Sequence, residues 1–185
     1  MKATRIILCL LVAVLYLAQS GMAEERSGEN GNPVASQKRQ GLNGWLLLTS
    51  DRDWKQKWDT PQEHVPTFTE SKNVEPGESI TILTFYTNPA VDEHGVLDIT
   101  CDIKVVMPDK RISYEEKNII CAEGELAGDP GNTRLAYAVI DYTGEPEDPF
   151  GLWTVEVTLR DNNGGDVVSL QEQFELVEQE GLIRI

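Results

Sequence analysis

The sequence predicts an all-β protein, a single antiparallel β-sandwich of about 7–8 strands with one short helix near residues 51–58. Three observations support this fold class. Apolar and polar side chains alternate with a period of two over most of the chain. Short turn motifs such as "EPGE", "MPDK" and "GDPGN" separate the alternating stretches at fairly regular intervals. Only one short stretch departs from this period, so the sequence indicates one short helix and no long one.

The strands differ in how clearly the sequence marks them. In "VLDITCDIKVVM" one face carries Leu97, Ile99, Cys101, Ile103, Val105 and Met107. In "LWTVEVTLR" the inward face carries Trp153, Val155, Val157 and Leu159, and in "VVSLQEQFEL" it carries Val168, Leu170, Phe174 and Leu176, with Glu172 as an exception. Further strands are indicated by "WLLLTS", "SITILTFYT" and "RLAYAVIDY", and weaker ones by "PTFTES" and "RISYEEKNI". The doubled glycine in "DNNGGD" predicts that the last two strands form a hairpin.

The stretch "SDRDWKQKWDTP" breaks the period of two and predicts the helix. Ser50 or Asp51 can cap its N-terminus, and Pro61 follows its end. Trp54 and Trp58 are four residues apart, so a helix places both indoles on one face. We expect this face to cover one open end of the sandwich. The alternative is an exposed platform of the kind that sugar-binding modules use.

The N-terminal segment has the layout of a secretory signal peptide over residues 1–23. Lys2 and Arg5 precede an apolar run from residue 6 to residue 18, and "SGMA" supplies small residues before a cleavage site after Ala23. The run is shorter than the roughly 20 residues that span a bilayer, so we expect no membrane insertion after cleavage. The expected location is periplasmic or secreted. Residues 24–41 are predicted to be a flexible polar tether, residues 42–178 the folded domain and residues 179–185 a C-terminal tail.

The charge of the chain restricts its partners. The formal net charge is −15 at pH 7, and it becomes more negative when a leader with two cations and no acid is removed. Such a surface repels phosphate backbones, so nucleic acid is not an expected partner. An acidic surface also keeps an exported protein in solution. The expected partner is another envelope or extracellular protein, or a glycan.

Cys101 and Cys121 are the two cysteines that remain after leader removal. In an oxidising compartment two cysteines predict one disulfide. Cys101 lies on the inward face of its strand, so we expect a buried structural bond and not a reactive thiol.

The residues that could carry chemistry are few. Neither of the 2 histidines lies in a metal or catalytic motif, and the sequence contains no HExxH, GxSxG or phosphate-binding glycine loop. We therefore expect no enzymatic activity and no cofactor. Calcium is the one alternative, with Asp161, Asn163 and Asp166 of "DNNGGD" as candidate ligands, although tight turns favour the same residue types.

Three phrases carry a resemblance to a known group of proteins: "VEPGESITILTFY", "KVVMPDKR" and "DPFGLWTVEVTLRDNNGG". With them the chain resembles exported bacterial immunoglobulin-like sandwich domains, including those of macroglobulin-type and invasin-type proteins. The resemblance implies an Ig-like sandwich that binds, spaces or scaffolds. The chain lacks a thioester motif, so protease trapping is not implied.

The sequence therefore predicts an exported, non-enzymatic binding or accessory module of the cell envelope. Three alternatives remain open. One is a carbohydrate-binding module that uses Trp54 and Trp58, and another is a calcium-stabilised, adhesin-like domain. The third is a periplasmic enzyme or an inhibitor of one, for which the sequence offers no residues to name.

Overall fold

The computed structural model describes residues 6–10, 41–60 and 66–178. Its elements, in chain order, are β1 (Ile6–Leu10), β2 (Asn43–Thr49), α1 (Trp54–Trp58), β3 (Asn73–Val74), β4 (Ser79–Thr87), β5 (Val96–Val106), β6 (Ile112–Glu125), β7 (Arg134–Thr143), β8 (Gly151–Asp161) and β9 (Val167–Leu176). The predicted tail at residues 179–185 lies outside the described residues, as does nearly all of the predicted leader and tether apart from β1 and Gly41.

The strands form two sheets that pack face to face. Sheet A has the order β1-β7-β4-β2, and sheet B has the order β3-β9-β8-β5-β6. All neighbours are antiparallel except β3 and β9, which pair in parallel. The predicted all-β sandwich with one short helix is confirmed. With β1 and β3 left aside, the first, second and fifth strands face the third, fourth, sixth and seventh. The fourth strand thus lies in sheet B, whereas in the seven-stranded immunoglobulin sandwich it pairs in the sheet of the first, second and fifth.

The core lies between the sheets and follows the predicted alternation. Every second residue of β5 and of β8 is buried, and the register places inward residues opposite each other, as in Ile103 against Val157. Three aromatic rings fill one region of this core: Trp153 stacks on Phe174 at 5.9 Å, and Tyr142 lies 4.6 Å from Phe174. Burying each large apolar side chain contributes roughly 1.5–3 kcal/mol to folding.

The disulfide joins Cys101 of β5 to Cys121 of β6, with the Cα atoms 5.8 Å apart. Cys101 is directly opposite Ile119, and Ile99 is opposite Ala122. A register shift between these pairs makes Cys121 the extra residue of a β-bulge, which turns its side chain into the core. Both cysteines are fully buried, as the inward position of Cys101 predicts.

Of the two segments that the sequence marks as weaker strands, one is a strand in the structure and the other is not. "RISYEEKNI" belongs to β6, a full strand of 14 residues at the edge of sheet B. "PTFTES" is wrong as a strand, since only Glu70 forms an isolated bridge, with Thr49. This segment instead places Phe68 on the outer face of sheet A, so its apolar residue covers a sheet and does not extend one.

Glu172, the polar residue on the inward face of β9, is explained by an ion pair. Its carboxylate accepts a hydrogen bond from Nζ of Lys72 at 2.9 Å, next to the short edge strand β3. The side chain thus keeps its charge paired at the sheet margin, where about a third of it is exposed.

The predicted hairpin between β8 and β9 is confirmed, with Gly165 at φ +74° donating its N–H to the carbonyl of Asp161.

Strand β1 lies within the segment predicted as the leader, and in the full chain it pairs with β7 at the edge of sheet A. Among the described residues, no helix is long and apolar enough to cross a membrane.

Candidate binding surface on sheet A

Strand β4 is buried on both faces, which is unusual for a sheet with one face towards the core. Ile80 and Ile82 point into the space between the sheets, whereas Leu83 and Phe85 belong to a second apolar cluster on the outer face of sheet A. In "SITILTFYT" the outward side begins with Ser79 and Thr81 but continues with Leu83 and Phe85, so part of the outer face is apolar. The outer face of sheet A therefore requires a cover.

Four aromatic side chains provide that cover around the ring of Phe85. The ring centroid of Trp58 lies 5.2 Å from that of Phe85, Trp45 lies at 5.6 Å and Phe68 at 6.4 Å. Trp54 packs against the same cluster. We call this group, which consists of Trp45, Trp54, Trp58, Phe68 and Phe85, the aromatic face.

The position of the two helix indoles differs from the prediction. Trp54 and Trp58 lie over the outer face of sheet A and not over an open end of the sandwich. Both are half-buried, so they are neither core residues nor a free platform. The physical reason is that α1 follows β2 directly, and β2 is the neighbour of β4 in the sheet. The nearest apolar surface is the outward side of Leu83 and Phe85.

Trp45 is the exposed ring of the aromatic face. It is opposite Phe85 in the β2–β4 register, stacks on that ring with an interplanar angle of 26°, and remains 38% exposed. Phe85 itself is only 3% exposed. An exposed indole thus rests on a buried ring that other side chains hold in place.

The helix cap also differs from the prediction. The helix begins at Trp54 with Asp53 in the N-cap position, and no side chain caps it. Asp51 instead accepts hydrogen bonds from Nζ of Lys57 at 2.7 Å and from the backbone N–H of Thr69 at 2.8 Å. The hydrogen bonds from Lys57 and Thr69 lower the pKa of the Asp51 carboxyl to about 2. Asp51 therefore ties α1 to the segment that carries Phe68.

The candidate calcium ligands hold the loops around the β8–β9 hairpin. Asp161 is 2% exposed, and its carboxylate accepts N–H groups from Ala90 at 2.6 Å, Gly164 at 2.7 Å and Asn163 at 3.1 Å. Asn163 donates to the carbonyl of Val96 at 2.9 Å.

Asp166, the third candidate ligand, accepts the N–H of Leu42 at 3.0 Å, just before β2. In the part of the chain that the structure describes, no three His, Cys, Asp or Glu side chains are grouped to hold a metal. The carboxylates of Asp161 and Asp166 thus accept backbone N–H groups within the turn and from loops distant in sequence.

The outer face of sheet B carries charged side chains in pairs. Asp102 accepts from Arg160 at 2.6 Å, and Glu156 accepts from Lys104 at 2.6 Å. Asp102, Lys104 and Glu156 line a shallow depression of about 140 Å³, together with Glu115 and Lys117. The hydrogen bond from Arg160, followed by that from the backbone of Asn118, lowers the pKa of Asp102. The Asp102 carboxylate is therefore held in its charged form and is poorly suited to act as a general acid.

Sequence reasoning named Trp54 and Trp58 but did not single out Trp45, Phe68 or Phe85 for the site. A usable signal was present in β4, where Ile82, Leu83 and Phe85 interrupt the alternation. A strand that is apolar on both sides in an otherwise alternating sandwich indicates a second covered face.

Comparison with known proteins identifies no family. Neither a scan of protein families nor a search of curated proteins finds a match. Among solved structures, the chain is similar to a family 123 glycoside hydrolase from Clostridium perfringens, with 9% identity, a TM-score of 0.45 and coverage of 75% of this chain but 27% of that one. It thus spans about a quarter of that hydrolase's length.

Two smaller proteins resemble the chain over their whole length. The CARDB domain of the PF1109 protein from Pyrococcus furiosus matches with 8% identity, a TM-score of 0.38 and coverage of 80% of this chain and 100% of that one. BslA, a bacterial hydrophobin, matches with 8% identity, a TM-score of 0.38 and coverage of 77% and 100%. All of these TM-scores lie below 0.5, and the likenesses say nothing of ligand or activity.

Proposed function

We propose that the protein is an exported, non-enzymatic binding module of the cell envelope and that the aromatic face of sheet A contacts its ligand. The observation that carries the proposal is Trp45, a 38% exposed indole stacked on the buried ring of Phe85. A ring held on a rigid base loses little conformational freedom when a ligand packs on it. The face is therefore preorganised for contact.

Export is supported by two features. Residues 1–23 have the order of charged, apolar and small residues that secretory leaders share. Cys101 and Cys121 form a buried disulfide, a bond that persists mainly in oxidising compartments.

The non-enzymatic character is supported by the engagement of the acidic side chains. Asp161 accepts three backbone N–H groups, and Asp102 is paired with Arg160. His94 is an exposed turn residue whose nearest ionic partner is Glu93, at 3.5 Å. These groups form no set of nucleophile, base and orienting residue of the kind that catalysis requires.

A glycan is the ligand class that the exposed ring favours. A sugar ring offers an apolar face that packs on an indole and hydroxyl groups at its rim. Lys57 precedes Trp58 on α1, and its ammonium, paired with Asp51 and 30% exposed, adds a hydrogen-bond donor next to the aromatic face. The strongly acidic chain disfavours anionic ligands, which leaves neutral glycans as the first class to test.

The experiment is a titration of tryptophan fluorescence with a panel of neutral glycans, on the wild type and on Trp45→Ala. We expect the emission to change with at least one glycan and the Trp45→Ala variant to bind at least about tenfold more weakly, measured under conditions in which far-UV circular dichroism shows the variant to be folded. Phe150→Ala is the matched control, because Phe150 is also an exposed aromatic (44%) but lies outside the aromatic face. Emission that stays constant across the panel would falsify the glycan assignment, and equal losses in both variants would remove the aromatic face as the site.

A further inference from the structure

Once β1 is left aside, strand β7 is an edge strand of sheet A, with β2 at the other edge. In the full chain its outer side pairs with β1, in a register that sets Ile6, Leu8 and Leu10 opposite Tyr142, Ile140 and Ala138. All five residues of β1 belong to the segment predicted as the leader. Removal of residues 1–23 would therefore leave the outer N–H and C=O groups of β7 without their strand partner.

The exposed edge would be long and largely apolar. β7 has 10 residues, and no charged residue occurs from Leu135 to Ile140. Its core-facing residues Ala138, Ile140 and Tyr142 are each 1% exposed while β1 is in place. Loss of β1 would uncover backbone groups and apolar surface at the same place.

The edge strand of sheet B on the same side of the sandwich shows how an edge is normally protected. Strand β6 carries Glu115, Glu116 and Lys117 in sequence, and its register against β5 shifts at three points. Asn118 has a positive φ of 54°, which further bends the strand. Charges and bulges are the devices that prevent pairing with other chains. The central part of β7 has no charged residue of this kind.

We infer that, after leader removal, the β7 edge binds an extended apolar strand of a partner polypeptide, antiparallel to β7 and in the register that Ile6–Leu10 occupies. The inference rests on the export part of the proposed function, but it does not depend on the aromatic face. Strand addition to an open sheet edge gains affinity from main-chain hydrogen bonds and specificity from alternate side chains.

The structure supports a partner strand and not a second copy of the chain as the occupant. β1 demonstrates that the edge accepts an apolar strand of five residues, with apolar residues opposite the core-facing Tyr142, Ile140 and Ala138. Two copies that met along this edge would each bring a net charge of −15 or more negative, which opposes association. An apolar segment from another polypeptide carries no such repulsion.

The test uses the exported protein, with loss of residues 1–23 verified by mass spectrometry, and the full chain as reference. The probe is a fluorescent peptide with the sequence of residues 3–12 and Cys9→Ser, and binding is followed by anisotropy. We expect saturable binding to the processed protein and at least about tenfold weaker binding to the full chain, because the tethered β1 competes at high effective concentration.

Two peptide variants test the register. Leu8→Asp places a carboxylate opposite the core-facing Ile140, so we expect at least about tenfold weaker binding. Ile7→Lys places a cation opposite Asp141 on the outer face and should bind about as well as the parent peptide.

Several outcomes would overturn the inference. They are equal binding of the Leu8→Asp and parent peptides, equal binding to the full and processed chains, a processed dimer that excludes the peptide, or an exported protein that retains Ile6–Leu10. Peptide binding by the Trp45→Ala variant separates this edge from the aromatic face, since each surface can fail alone.

Discussion

The two outer faces of the sandwich are covered in different ways. The outer face of sheet A is apolar around Leu83 and Phe85, and a helix and a loop segment cover it with aromatic rings. The outer face of sheet B has charged pairs such as Lys104 with Glu156, in contact with water. One face thus needs other parts of the chain to exclude water, whereas the other needs none.

The difference has an energetic consequence. Apolar contacts gain free energy in proportion to the area removed from water, at roughly 25 cal/mol per Å². Exposed ion pairs contribute a median of about 0–1 kcal/mol, because solvent screens them. We therefore expect mutations on the aromatic face to destabilise the fold much more than mutations on the outer face of sheet B.

The largest effect is expected for Phe85→Ala, which removes the buried ring at the centre of the aromatic face. We expect the free energy of unfolding to fall by about 3–5 kcal/mol, measured by urea denaturation followed by far-UV circular dichroism. The control is Thr158→Ala on the outer face of sheet B, which should change stability by less than about 0.5 kcal/mol. A loss below about 1 kcal/mol for Phe85→Ala would show that the cluster is dispensable for folding.

A smaller loss is expected for Trp58→Ala. The indole is half-buried and lies 5.2 Å from Phe85, so we expect a loss of about 1–3 kcal/mol in the same assay. The matched control is Lys55→Ala on the exposed side of α1, where no measurable loss is expected. If both variants were as stable as the wild type, α1 would not act as a cover, and its indoles would be available for binding.

A pH-dependent effect is expected from Asp51, which links α1 to the segment of Phe68. Its pKa is lowered to about 2 in the folded state by the hydrogen bonds from Lys57 and from the Thr69 backbone. Since the unfolded-state pKa is higher, at about 3.9, the stabilising contribution is present above pH 4 and is lost as the pH falls towards 2. The measurement is thermal unfolding between pH 5 and pH 2, with the Asp51→Asn variant as reference. Identical pH profiles of the two proteins would contradict the role of Asp51.

The sequence was sufficient to predict the strands whose two sides differ in polarity. β5 and β8 alternate strictly, so their inward residues, among them Ile103 and Val157, could be named before the fold was known. The hairpin at "DNNGGD" follows from the local conformational needs of glycine, as Gly165 at φ +74° shows. These features depend on residues close together in the chain.

The aromatic face could be predicted only in part, because it depends on residues far apart in the chain. The period of four between Trp54 and Trp58 correctly placed both indoles on one side of a helix. It could not indicate which surface they meet, since that depends on the pairing of β2 with β4. The sequence suggested Asp51 as a helix cap. No local pattern indicates that its carboxylate instead accepts the N–H of Thr69, 18 residues later.

The smallest effect is expected for the charged pair of Lys104 and Glu156 on sheet B. Nζ of Lys104 lies 2.6 Å from Oε2 of Glu156. The lysine side chain is 33% exposed and the glutamate side chain 40%, so water screens the attraction. A double-mutant cycle with Lys104→Ala and Glu156→Ala should give a coupling energy below about 0.5 kcal/mol, and added salt of about 1 M should abolish it. A salt-independent coupling above about 1 kcal/mol would mean that this face also constrains the fold. In that case the two outer faces would differ in chemistry, but both would contribute to the free energy of unfolding.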